Sequence, residues 1–426
     1  MPQLYYPQKW AIKKAEMAKK FRIGLVYINT NNLGDIVIFD CARYLIEQAF
    51  ESNGFTDYEI VPIDMGERNA VKSKLNASFI KKQEKQHANA NQYVKEWKSS
   101  KAHQYFAENE KPKIRELDVV VFGGGGLIKF HEQHFHMYID EITTEADLYN
   151  IPVIFNAVGV EGYDDSDPRC QILKKALNRR CVSAVSTRDN LDLLQKKYLP
   201  TKNVELVCDP ALWAAEAYSI HKKPSNKIIG LGVIRPEIFE LYGEKVSKEK
   251  LMKFYKIIIT RLEEQDIEYK LFSNGGRRDQ RFIDDIKAFM GKGEEFDAKV
   301  HPVGNSGKEL AETIVGFSRV LAFRMHAAVL AYAFAVPATI AMWNDKQKFF
   351  AELTDQKDNL LYAVDFDSGE KASEKILTSK VPVHSDDYKN TDRDFISKQL
   401  WHLYKRRHLT KAVASLRFLK RRYINI

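Results

Sequence analysis

Residues 318–348 read SRVLAFRMHAAVLAYAFAVPATIAMWNDKQK. Val320 to Phe323 form a short apolar run of strand type, and Ala327 to Ala335 repeat small and apolar residues at helical spacing. Arg324, Met325 and His326 therefore fall where a strand gives way to a helix, the place where open α/β sheets bind ligands. A further strand is expected from Val336 to Met342, with Pro337 at its start and Lys346 just after. An arginine and a histidine at one such turn can both reach an anion, and the helix N-terminus adds free N–H groups and a favourable dipole. Taken singly, Arg324 could instead pair with a carboxylate and His326 could cap the helix.

The same alternation extends upstream. Ile228 to Ile234 reads as a strand ending in Arg235 and Pro236, and Leu251 to Gln265 as a helix. Glu268 to Phe272 is a strand ending in Ser273, Asn274, Gly275 and Gly276; helices follow at Arg281 to Met290 and Glu309 to Phe317. Arg235 and Arg324 thus end two strands of one domain, with His326 and Lys346 nearby. Fixed cations at one sheet edge suit a small polyanion carrying phosphate and carboxylate better than a neutral sugar.

Before the linker at His221 to Asn226 the pattern runs once more. Strands are expected at Arg22 to Ile28, Tyr58 to Pro62, Leu117 to Phe122, Val153 to Val158, Ala184 to Ser186 and Val204 to Val207. The first is followed by Asn29 to Asp35 and a helix from Ile36 to Glu51, so Asp35 suits either an N-cap or a hydroxylated ligand. Neither a dinucleotide fingerprint nor a P-loop is present. Gly123 to Gly126 lie where the backbone turns sharply and can approach a ligand. His131, His134 and His136 have no carboxylate or cysteine at zinc-ligand spacing, which favours hydrogen bonding over metal. Arg188 and Asp189 read as a pair bracing adjacent loops, or as ligand contacts. Residues 69–112 are charged, lack glycine, and read as a helical, peripheral insert.

At 426 residues with 44% hydrophobic content the chain has room for two domains of about 200 residues. The boundaries read as 1–220, 226–385 and a tail, 386–426. No apolar stretch long enough to span a bilayer appears and the N-terminus lacks a signal-peptide core, so the expected location is cytoplasmic. Cys41, Cys170, Cys181 and Cys208 suit reduced, buried thiols. The net charge of +9 sits mostly after Trp401, leaving a nearly neutral body, so nucleic acid is not an expected partner. Leu409, Val413, Leu416, Leu419 and Tyr423 recur at helical spacing among those cations. Two readings stand: a basic amphipathic helix resting on an anionic membrane, or a helix packed on the body.

Asn32 to Asp35, Gly123 to Leu127, Ser186 to Asp189, Asp209-Pro210, Gly232 to Pro236, Arg324 to Ala327, Pro337 and Lys346 together resemble the polysaccharide pyruvyl transferase family, across about residues 22–350. The resemblance implies two Rossmann-like, doubly wound α/β domains facing each other across a GT-B-like cleft. It implies phosphoenolpyruvate as co-substrate, no resident cofactor or metal, and a saccharide acceptor, expected to be lipid-linked. The donor would lie on Arg235, Arg324, Met325 and His326, with Lys346 and Asn274, and His326, Arg324 and Arg235 would carry the chemistry. Asn32, Gly34, Asp35, Gly124, Gly125, His131 and His134 are the expected acceptor side. A GT-B glycosyltransferase using a nucleotide sugar and a non-catalytic saccharide-binding protein are the rival readings. The insert, the histidines and the basic tail depart from the family pattern.

Overall fold

The computed structural model describes residues 20–65, 89–129, 135–221 and 227–423, with side chains up to Arg407. Short runs rich in Val, Ile and Phe form the strands of two parallel sheets, whose central members are buried throughout, as helices on both faces require. The first holds β1 (Phe21–Tyr27), β2 (Tyr58–Asp64), β3 (Val119–Phe122), β4 (Gly125–Lys129), β5 (Val153–Glu161), β6 (Val182–Thr187) and β7 (Val204–Leu206). Their order is β2-β1-β3-β5-β6-β7, with β4 paired to β5. The second holds β8 (Ile229–Gly232), β9 (Tyr269–Phe272), β10 (Arg319–Ala322), β11 (Ala338–Ala341) and β12 (Leu360–Leu361), in the order β12-β11-β10-β8-β9. In each sheet the winding reverses beside its first strand, between β1 and β3 and between β8 and β10. A crevice opens at such a switch point because the two connecting segments leave in opposite directions.

The helices that shape this crevice are α1 (Leu33–Glu51), α2 (Ala90–Lys98), α3 (Lys101–Asn109), α4 (His136–Leu148), α5 (Arg277–Met290), α6 (Gly307–Val315), α7 (Met325–Ala333), α8 (Asp345–Leu353) and α9 (Asp386–Tyr423). Leu33, Val37 and Cys41 of α1 share one apolar core with Leu310 and Ile314 of α6 and with Ala328 of α7. The two domains therefore meet as a packed interior. Close approach requires small residues there: a Cβ on Gly307 would lie 2.3 Å from the Tyr218 hydroxyl, which donates to Asp40 at 2.7 Å.

One expectation needs correction, and the structure adds to two others. The insert is helical in its described part but not peripheral, because Tyr93 and Trp97 of α2 and Phe106 of α3 are fully buried in the core of the first domain; its remainder lies outside the described residues. The glycine run does not only turn: after Gly124 and Gly125, at φ +104° and +91°, the chain runs on as β4 beside β5. And α9 packs on the body through Tyr404, whose ring meets Phe21 and Phe50 at 5.5 and 5.8 Å, and through Arg407, which donates to Asp118 at 2.6 Å. The apolar positions from Leu409 onward lie outside the residues whose side chains are described. All four cysteines are free and buried. No helix among the described residues is long and apolar enough to cross a membrane.

Asp392 of α9 is wholly buried near Asn156 of β5. Burial pushes its carboxyl up to about 8; the Asn156 amide opposes this and Asp209 adds to it. A raised pKa in the folded state means that the neutral acid is favoured, so the stability it lends is full below about pH 4 and is lost as pH rises toward 8. Asp392→Asn, which cannot ionise, should match wild type near pH 4. By pH 8 it should be more stable in urea denaturation by up to about 5 kcal/mol; equal stabilities at pH 8 would refute the buried neutral acid.

Candidate functional site

Both switch points open into one cleft of about 220 Å³ between the domains. The first domain lines it with Thr30, Asn32, Asp35, Gly126, Glu161 and Arg188, and the second with Arg235, Tyr242, Arg324, Met325, His326 and Lys346.

Arg235 and Arg324 follow the adjacent strands β8 and β10, and one carboxylate organises both. Asp279, in the first turn of α5 and 1% exposed, accepts from Arg324 Nε and Nη2 at 2.8 Å each and from the Arg235 backbone N–H at 2.9 Å. Two of the five guanidinium N–H bonds are thereby used and the others stay available. Arg324 therefore does pair with a carboxylate, and it lines the cleft as well.

His326, in the first turn of α7, crosses to the first domain. A Cβ on Gly34 would lie 2.4 Å from its Nδ1, so only glycine lets α1 pass beneath the ring. Its Nε2 lies 3.3 Å from Arg188 Nη1 and 3.7 Å from Asp209 Oδ2, and Arg188 and Asp209 form a buried ion pair at 2.5 Å. Burial alone would raise the Asp209 carboxyl, but the Arg188 guanidinium reverses this and holds it well below the usual range, so Asp209 stays ionised. Arginine can only donate, so Nε2 takes a hydrogen bond from Arg188 only in the tautomer that carries its proton on Nδ1. Arg188 and Asp189 each brace a neighbouring segment, Arg188 through its pair with Asp209, and the Arg188 charge also acts on the Asp189 carboxyl. Asp189 accepts the Val160 and Asn190 N–H groups at 2.8 and 2.7 Å, and Arg188 has a place in the cleft.

Lys346 crosses the same way. Its Nζ touches Glu161 at the end of β5, over Gly126, where a Cβ would lie 3.0 Å from the ammonium. Burial, and then the charge of Lys129, push this ammonium down to about 7, and Asp35 opposes them. The other oxygen of Glu161 accepts from the Tyr242 hydroxyl at 2.5 Å.

On the expected acceptor side, Asn32 caps α1 and Asp35 does not. The Asn32 side chain accepts from Gly34 N–H, while Asp35 Oδ2 accepts from Thr30 Oγ1 at 2.8 Å and Asn32 Nδ2 at 3.2 Å. Both line the cleft. Gly34 does not; it lies under His326. Gly124 and Gly125 border a small recess that shares Ile28 and Asp35 with the cleft, and it is Gly126 that lines the cleft itself. Asn274 lies at the domain contact, where its carbonyl accepts the Leu33 N–H at 2.7 Å, instead of on the cleft wall. His131 and His134 lie outside the described residues; His136 is buried edge-on against Tyr93. Sequence reading missed Asp279, Glu161, Tyr242 and Thr30. Only Glu161 had a local signal, its place at a strand end two residues after Gly159.

The family model described as polysaccharide pyruvyl transferase matches residues 32–346. No curated protein matches the chain. Among solved structures, the UDP-GlcNAc 2-epimerase of Methanocaldococcus jannaschii is 12% identical, with a TM-score of 0.54, over 89% of this chain and all of that one. A Staphylococcus aureus MnaA–UDP co-structure is 10% identical with a TM-score of 0.51, over 90% and 97% of the two chains. The Neisseria meningitidis UDP-GlcNAc 2-epimerase, bound to UDP-GlcNAc, is 9% identical with a TM-score of 0.50, over 89% and 100%. At such identities the likeness shows the fold, which is of GT-B type.

The seat of His326 can be tested without a substrate. Gly34→Ala should cost about 1–3 kcal/mol of stability, because the added methyl overlaps a ring held on both sides. Adding His326→Ala should recover much of that loss. Additive losses in the double-mutant cycle would show that the two residues do not touch.

Proposed function

Since the chain belongs to the polysaccharide pyruvyl transferase family, we propose that it moves the enolpyruvyl group of phosphoenolpyruvate onto two hydroxyls of a saccharide, as a pyruvate ketal, in cell-surface polysaccharide synthesis. The observation that carries this reading is the shared carboxylate of Asp279, which holds Arg324 and Arg235 at neighbouring strand ends on one cleft. Two arginines so fixed suit one compact donor bearing carboxylate and phosphate.

His326 then delivers a proton to the methylene carbon of the donor, and the neighbouring carbon becomes cationic and is attacked by the first saccharide hydroxyl. The carbon–oxygen bond to phosphate breaks and the second hydroxyl closes the ketal. Of the two hydroxyl protons, one restores His326 and the other leaves with phosphate. An imidazole can serve as both acid and base. Arg235, Arg324 and Lys346 offset charge on the departing phosphate. Asn32 and Asp35 are the proposed hydroxyl contacts of the acceptor.

The acceptor is proposed to be lipid-linked and met at the inner face of the cell membrane, with the basic tail binding anionic lipid. Deleting residues 408–426 should abolish sedimentation with acidic vesicles while a soluble acceptor is still processed. Undiminished sedimentation would remove the tail from membrane binding.

Incubation of the protein and saccharide acceptors with phosphoenolpyruvate, set beside nucleotide sugars, tests the reaction itself. Pyruvyl addition by mass spectrometry, with phosphate release, is expected; nucleoside diphosphate release alone would favour a glycosyltransferase. In calorimetric titration, Arg235→Ala and Arg324→Ala should each weaken phosphoenolpyruvate binding by about 2–4 kcal/mol, and lysine should not restore it fully. His326→Ala should still bind donor and lose about two to four orders of magnitude in turnover. His326→Gln hydrogen-bonds but cannot protonate carbon, so wild-type turnover there would mean that the proton comes from elsewhere.

A further inference from the structure

We infer that Glu161 is the base for the first acceptor hydroxyl, and that Lys346 covers it until an anionic donor draws the lysine away. This rests on the pyruvyl-transfer reading and adds to it a residue role and an order of binding. In the structure Lys346 Nζ touches one carboxylate oxygen of Glu161, and the Tyr242 hydroxyl donates to the other at 2.5 Å. The pair is largely shielded from water, with side-chain exposures of 13% for Lys346 and 8% for Glu161. It spans the domains, since Glu161 ends β5 while Lys346 and Tyr242 come from the second. All three line the cleft that holds Arg235, Arg324 and His326. Gly126 leaves the room in which the ammonium meets the carboxylate.

The two partners differ in freedom. Lys346 is a point charge on a flexible four-carbon stem and can turn toward a stronger anion; a phosphate dianion attracts it more than one carboxylate does. Glu161 keeps its second hydrogen bond from Tyr242 and stays in place when the lysine leaves. One oxygen is then open toward the cleft. Asp35, the other carboxylate there, has Oδ2 held by Thr30 and Asn32, which suits anchoring a hydroxyl.

In the step so assigned, the O–H bond of the first hydroxyl breaks and its proton passes to Glu161. Its oxygen bonds to the carbon made cationic when His326 protonates the methylene. When the bond from that carbon to phosphate breaks, Glu161 returns its proton to the leaving phosphate; the second hydroxyl's proton goes to His326. Without donor, a hydroxyl entering the cleft meets a carboxylate already neutralised by Lys346, so donor binds first.

Calorimetric titration with phosphoenolpyruvate and steady-state ketal formation, on wild type and Glu161→Gln, decide the matter. Glu161→Gln should bind phosphoenolpyruvate at least as tightly as wild type, because Lys346 no longer has a competing anion. Its kcat should fall about 100-fold or more. Wild-type kcat, or weaker donor binding, would overturn the inference. If Glu161→Gln does not fold, Tyr242→Phe gives the same reading: the ring keeps its edge-on contact with Trp343 at 5.0 Å, and the hydroxyl that donates to Glu161 is removed. There, kcat should fall about fivefold or more with donor affinity unchanged, and an unchanged kcat overturns the proposal. A wild-type protein that transfers no pyruvyl group fails earlier, and sinks the reaction itself.

Discussion

The cleft depends on two side chains crossing from one domain to the other at points where the receiving domain has no Cβ. His326 seats on Gly34 closer than any side chain at that glycine would permit, and Lys346 lies over Gly126, where a Cβ would stand 3.0 Å from the ammonium. Behind them the apolar faces of α1, α6 and α7 merge into one core. A third glycine works from the other side. Gly275, at φ +98°, lies so close to the Asn31 carbonyl that a Cβ would stand 2.4 Å from it. Domains joined by such contacts hold a fixed cleft, because separating them would expose the shared core to water.

Electrostatically, three cations of the cleft have carboxylates of their own: Arg324 has Asp279, Arg188 has Asp209, and Lys346 has Glu161. An unpaired cation in so enclosed a space would cost several kcal/mol in lost hydration. The pairing makes the cations affordable, and it also fixes their geometry. Asp279 serves two strand ends at once because Arg235 offers its backbone and Arg324 its side chain. The pairs differ in rigidity. The bidentate arginine pair is held by two parallel bonds, whereas the lysine pair rests on one flexible stem.

How much was legible follows from the range of each signal. The alternation of strands and helices, the arginines that follow β8 and β10, and the histidine opening α7 are written in neighbouring residues. So were the motifs by which the family was recognised. The burial of Tyr93, Trp97 and Phe106 was not: they sit among charges, and the surface that covers them comes from α4, beyond the insert. The ion-pair partner of Arg188 was out of reach for the same reason, since Asp209 lies 21 residues away in sequence.

By itself the sequence determined a two-domain α/β chain with cations at the ends of its strands, because side-chain periodicity and strand-to-helix turns are local properties that any correct fold must satisfy. The tertiary structure alone decided what those cations face. Asp279 lies 45 residues from Arg324, Tyr242 lies 81 from Glu161, and Arg188 lies 138 from His326. No local pattern specifies such pairs. They form when sheet order brings two switch points together and glycines at the contact let the side chains pass.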